Sequence, residues 1–91
     1  MQMTATQVLE SVRKASTSDR ARVKRTMANR IPELKTITLT QNRVRLAMRD
    51  SRALEVTESG ITGLDDLSLV FAFEDLSLEL YVYCPNRHEI R

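Results

Sequence analysis

One pair of side chains in the sequence has the types and spacing of a reactive or metal-binding site. Cys84 and His88 are four residues apart, and they are the only cysteine and histidine of the 91-residue chain. A zinc site needs three or four such ligands, and cysteine–histidine catalysis needs spatial adjacency and an oxyanion hole. We therefore interpret Cys84 as a buried structural thiol, and we expect no catalytic residue, metal or cofactor.

Two acidic pairs, Asp65-Asp66 and Glu74-Asp75, are the next candidates for chemistry. Paired carboxylates can hold a divalent metal or act as acid and base, but acids at turns more often serve the turn itself. The segment from Gly60 to Gly63 lacks the Lys-Ser/Thr sequence of a phosphate-binding loop. The sequence therefore predicts a protein that is not an enzyme.

Basic residues are concentrated in the first half of the chain. Residues 1–52 contain 12 Lys and Arg against 4 Asp and Glu, and residues 53–91 contain 2 against 8, so the halves carry +8 and −6. Single-stranded nucleic acids are usually bound with the help of stacking aromatic side chains, which this half lacks. We expect nucleic-acid binding to be weak and salt-dependent. The candidate contact residues are Arg20, Arg22, Lys24, Arg25, Arg43 and Arg45.

Two helices are predicted before Pro32. Apolar residues recur with helical spacing over residues 4–16, and Thr4 with Gln7 resembles a capping box. A polar run after Ala15 interrupts the pattern, and a second helix is expected over residues 19–30, ended by the proline. A single bent helix is the alternative.

From Leu34 onward the apolar period changes from 3.6 to 2, which predicts antiparallel strands. Turns are expected at residues 41–42 and 50–52, and both glycines fall in a predicted loop at 59–63. The expected cross-strand pairs are Leu39 with Val44, Ile37 with Leu46, Met48 with Leu54, and Leu46 with Val56.

Alternation of apolar residues is clearest between Leu67 and Val82, where it predicts a hairpin of two further strands with a turn at Glu74-Asp75. The outward face of this hairpin is more apolar than an exposed face requires. We interpret it as a protein-binding or dimer surface; the alternative is that the sheet curls and buries this side itself. Its residues are Val70, Ala72, Tyr81 and Tyr83.

Together these elements predict one α+β domain over residues 1–91: a helical part (4–31), a β part (34–84) and a polar tail (85–91). Two helices would pack on a five-stranded antiparallel meander in the order ααβββββ, with a small barrel as the alternative closure. In the expected core Leu46, Val56, Leu69, Phe71, Leu78 and Leu80 are buried against Val8, Val12, Val23 and Met27.

No apolar run reaches the length of a membrane-spanning helix, and the first residues lack the pattern of a signal peptide. We expect a cytoplasmic protein without a membrane partner. The expected function is that of a small adaptor acting through protein–protein contacts, as a homodimer or with another protein, by analogy with bacterial or phage accessory proteins. The alternative is a nucleic-acid-binding module that uses the basic N-terminal half.

Overall fold

The computed structural model describes residues 4–83, which form three helices and a four-stranded antiparallel sheet. The strands neighbour one another in chain order and the sheet is open, so the α+β prediction is confirmed, whereas five strands and a barrel are wrong. Cys84, His88 and the predicted tail lie outside the described residues. The elements are α1 (Ala5–Lys14), α2 (Thr17–Arg30), β1 (Leu34–Leu39), β2 (Val44–Met48), β3 (Ala53–Thr57), β4 (Gly60–Thr62) and α3 (Leu67–Tyr83).

The two N-terminal helices form as predicted, and local capping defines their ends. The hydroxyl of Thr4 accepts the Gln7 backbone N–H (3.2 Å), while the Gln7 side-chain oxygen accepts the Thr4 N–H (2.9 Å). Extended backbone at Ala15 and Ser16 separates the helices, so the single bent helix is excluded. The Ser16 hydroxyl accepts the Asp19 N–H (3.0 Å), and α2 therefore begins two residues earlier than predicted.

The first hairpin has the predicted register, with Leu39 opposite Val44 and Ile37 opposite Leu46. The turn at residues 41–42 is fixed by Thr40, whose N–H donates to the Arg43 carbonyl (3.0 Å). Every large apolar side chain of this hairpin consequently lies on one face of the sheet.

The register between β2 and β3 differs from the prediction by two residues, with Leu46 opposite Leu54 rather than Val56. The loop comprises residues 49–51, and Met48 N–H donates to the Arg52 carbonyl (2.7 Å) across it. Ser51 has a φ of 80°, the left-handed conformation that a three-residue hairpin loop needs at its end. A shift of two residues keeps each side chain on its face, so the apolar pattern alone does not distinguish the two registers.

The predicted loop at 59–63 contains the short strand β4, which places Ile61 opposite Val56. Gly63 then turns the chain toward α3 with a φ of +94°, and a Cβ here would lie 2.7 Å from the Ala53 carbonyl oxygen. Only glycine fits this close approach of two backbone segments without strain.

The predicted hairpin over residues 67–82 is wrong, because this segment is a single helix of 17 residues. The apolar side chains buried on its inner face recur at i, i+3, i+4, i+7 and i+11, which is helical spacing. Apolar and polar residues also alternate along much of this segment, so its sequence contains both the helical period of 3.6 and the strand period of 2. The buried apolar set is Leu69, Ala72, Phe73, Leu76 and Leu80, and the polar Ser77 and Glu79 are buried beside it.

All three helices contribute to one core on the apolar face of the sheet. Helix α1 contacts β3 and β4, α2 contacts β1, and α3 packs against both helices while touching β2 and β3. The expected core is confirmed except at Phe71 and Leu78, which are 60% and 51% exposed. These two exceptions follow from the helical conformation, which turns them away from the sheet.

Charged side chains hold α3 in place at two points. Arg52 donates to both carboxylate oxygens of Asp66 (3.0 and 2.9 Å), while an Asp66 oxygen accepts the Leu69 N–H (3.2 Å) at the helix start. Hydrogen bonding from Arg52 holds the pKa of Asp66 below its usual value. Arg30, the last residue of α2, pairs with Glu79 of α3 at 2.8 Å. One residue of each predicted acidic pair, Asp66 and Asp75, therefore has a structural ion pair.

Candidate interaction site

The four residues predicted to form a partner-binding face do not share a face in the structure. Helical geometry puts Val70 and Tyr81 about 20° apart, and Ala72 and Tyr83 about 160° away from them. Ala72 is 1% exposed and belongs to the core, and Tyr83 stacks under the Arg22 guanidinium at 5.2 Å. The common strand face was wrong, and whether any of these residues binds a partner stays a prediction.

The six predicted nucleic-acid residues are likewise divided between two sides of the molecule. Four lie on α2, in the helical layer, and the Nε of Arg20 is buried without a hydrogen-bond partner among residues 4–83. Arg43 pairs with Glu55 at 3.2 Å, and Arg45 alternates with the buried Val44 and Leu46, which places it on the sheet face away from the helices. These cations therefore do not form one continuous basic surface.

The outer face of α3 carries a group of exposed apolar side chains that the sequence did not reveal. We call this group the α3 stripe; it consists of Leu67, Phe71, Leu78 and Val82, each more than half exposed. At 100° per residue the four lie within an arc of about 60°, and they extend over about 22 Å of helix. Since the inner face of α3 is buried against the sheet and both other helices, the helix is apolar on two opposite sides.

The surroundings of the stripe are polar on both flanks and concave beside Phe71. Glu74 and Asp75 lie midway along the stripe, about 50° to either side of its centre line, and Asp75 pairs with Arg30 at 3.3 Å. A pocket of about 370 Å³ borders Phe71, and Arg30 and Arg52 also line it. An apolar centre with a charged rim is the usual anatomy of a protein–protein contact surface.

No family model matches the chain, and no curated protein or solved structure is significantly similar to it. Within residues 4–83 no three side chains of the metal-ligating types come together. None of the helices in that range combines the length and the apolar character that crossing a bilayer requires.

Proposed function

We propose that this chain is a non-catalytic interaction module that works as a homodimer, with the α3 stripe as its contact surface. The observation that carries the proposal is a run of four large, exposed apolar side chains on a helix whose opposite face is already buried. Contiguous exposed apolar patches of several hundred Å² in soluble proteins usually mark a binding surface.

The spacing of the stripe favours a second copy of the chain as the occupant. Leu67 and Val82, like Phe71 and Leu78, are placed at equal distances on either side of the point between Glu74 and Asp75. Two antiparallel α3 helices related by a two-fold axis at this point would match Leu67 with Val82 of the partner subunit. Phe71 would meet Leu78 of the partner subunit in the same way. Such self-matching is what an isologous two-fold interface requires.

The area of the stripe is sufficient for a modest dimer interface. Each of the four side chains leaves roughly 100–150 Å² exposed, which gives about 500 Å² per subunit and about 1,000 Å² for the pair. Leu64 and Tyr81, which are also exposed, extend the patch, so the total reaches the ~1,200 Å² at which specific interfaces begin.

One feature opposes this arrangement. The two-fold axis brings the Glu74 carboxylates of both subunits together on one flank and the Asp75 carboxylates together on the other. Arg30 offsets the charge of each Asp75, whereas the exposed Glu74 pair costs about 0.5 kcal/mol. Burial of the stripe far exceeds this cost at about 25 cal/mol per Å², even after the entropy cost of association is subtracted. Glu74→Gln should consequently lower the dissociation constant of the dimer. This effect is not expected if the stripe binds a different protein instead of a second copy of the chain.

The experiment is sedimentation equilibrium on the full chain, followed by site-directed cross-linking. The chain of 10.4 kDa should sediment at twice its mass in the micromolar range. In a Cys84→Ser background, Glu74→Cys should be joined to its own copy by a short bis-maleimide. Leu67→Cys should not be, because the two Leu67 positions lie about 22 Å apart along the paired helices.

A chain that stays monomeric at about 100 μM, corresponding to less than about 6 kcal/mol of association free energy, would overturn the homodimer. Cross-linking at Leu67→Cys but not Glu74→Cys would show a parallel arrangement and contradict the two-fold axis. The nucleic-acid alternative has less support, because its cations lie on two sides of the molecule and Arg43 is already paired.

A further inference from the structure

A groove lies between α2 and the outer edge of the sheet, and it shares no residue with the α3 stripe. It has a volume of about 390 Å³, with Ala28, Leu34 and Ile37 as apolar lining. The cations Lys24, Arg25 and Lys35 also line it. Its shape and chemistry therefore combine an apolar floor with a positively charged rim.

The groove runs along a strand whose outer edge is free. Within residues 4–83, β1 pairs only with β2. Because Thr40 N–H donates to the Arg43 carbonyl of the opposite strand, the alternation of an antiparallel ladder leaves the backbone groups of Ile37 and Leu39 pointing away from β2. An open row of N–H and C=O groups is a template for one further strand.

The charges of the groove select the occupant. No ion pair found among residues 4–83 involves Lys24, Arg25 or Lys35, and no carboxylate lines the groove. A second copy of β1 would add its own Lys35 to an edge that already carries Lys24, Arg25 and Lys35, so like charge disfavours pairing of the strand with itself. An acidic strand would be attracted instead.

We infer that this groove binds an extended acidic peptide segment of a partner protein, which adds to β1 as a fifth strand. Alternate side chains of the added strand face the helices, so carboxylates there reach Lys24 and Arg25 while an aliphatic side chain between them covers Ala28 and Ile37. Single-stranded nucleic acid is the competing occupant. It fits less well, because the groove offers no aromatic side chain for stacking and phosphates do not complete a β ladder.

The test uses an end-blocked, fluorescently labelled decapeptide of sequence Glu-Thr-Val-Thr-Glu-Thr-Val-Thr-Glu-Thr, in which one strand face alternates between Glu and Val and the other carries Thr. It is titrated with the full chain and followed by fluorescence anisotropy. Arg25→Glu should weaken binding about tenfold or more, since a charge-assisted hydrogen bond becomes a repulsion. Arg22→Glu is the matched control: it makes the same charge change three residues away on α2, outside the groove, and should alter the affinity less than threefold. Circular dichroism melts verify that both variants fold.

Hydrogen exchange distinguishes strand addition from simple charge attraction. Bound peptide should slow amide exchange at Ile37 and Leu39, and a peptide N-methylated at alternate residues should lose affinity. Equal effects of Arg25→Glu and Arg22→Glu, unchanged exchange at Ile37, or no binding at millimolar concentration would each overturn the inference. If an oligothymidylate binds more tightly than the peptide and depends on Arg25, nucleic acid is the occupant and the inference is wrong.

Discussion

Phe71→Ser should separate the proposed dimer into folded monomers. Phe71 is 60% exposed in the monomer, and roughly 130 Å² of its surface is free to be buried by a second subunit, which corresponds to about 3 kcal/mol per side chain. The proposed dimer would contain two such residues. If only half of this free energy is realised, the loss is about 3 kcal/mol, and the dissociation constant rises more than 100-fold.

Folding of the subunit should be little affected by the same change. Phenylalanine and serine have similar helix propensities, and Phe71 contributes mainly its exposed surface, so the free energy of unfolding of dilute protein should fall by no more than about 1 kcal/mol. Sedimentation equilibrium gives the dissociation constant and urea denaturation gives the stability.

Leu64→Ser is the control for Phe71→Ser, because Leu64 is also an exposed apolar residue, 43% exposed, but precedes α3. This variant should weaken the dimer by less than about 1 kcal/mol, as expected for the edge of an interface. Equal weakening by the two substitutions would show that non-specific apolar association, rather than the α3 stripe, holds the subunits together. Loss of folded protein with Phe71→Ser would show that Phe71 is part of the core.

Three further outcomes test the fold itself. Leu76→Ala should lower the free energy of unfolding by about 2–5 kcal/mol because this side chain is fully buried. Leu78→Ala on the same helix should cost less than about 1 kcal/mol in dilute protein. If urea denaturation shows a larger loss of stability for Leu78→Ala than for Leu76→Ala, the helical assignment is contradicted. Gly63→Ala should cost more than about 2 kcal/mol, since its Cβ would lie 2.7 Å from a carbonyl oxygen at a φ of +94°, and an unchanged melting temperature would refute this. Arg52 holds the pKa of Asp66 below the usual 3.8, so the ionised carboxylate stabilises the fold above pH 3.8, and this stabilisation is lost as the pH falls toward the folded-state pKa. Asp66→Asn retains a capping side chain and should flatten the profile of unfolding free energy against pH in that range. An unchanged profile would contradict the ion pair.

Local signals in the sequence were sufficient for the N-terminal helices and the first hairpin. The Thr4–Gln7 capping box, the break before Ser16 and the stop at Pro32 each act within a few residues. Between β2 and β3 the apolar pattern gave the correct faces but a register displaced by two residues. That register depends on the loop conformation at Ser51, which residue polarity does not encode.

The error at α3 has a physical cause that also hid the candidate site. A helix that is buried on one side and apolar on the other has no polar face to reveal its period, so the strand-like alternation between Leu67 and Phe73 dominates the sequence pattern. Length was the better criterion: residues 64–84 contain no glycine, proline or asparagine, and 17 uninterrupted residues exceed an ordinary strand. The α3 stripe becomes visible only once the segment is placed as a helix.

The position of α3 in the chain has consequences for biosynthesis. Every element that α3 packs against precedes it in sequence, and α3 supplies Phe73, Leu76 and Leu80 to the shared core. While the polypeptide is being translated, the earlier helices and strands leave the ribosome before the segment that covers their apolar surfaces has been made. They should remain loosely collapsed and open to chaperones and proteases until then, because contacts between distant parts of a chain form late. A nascent chain arrested before Leu67 should therefore be degraded rather than accumulate.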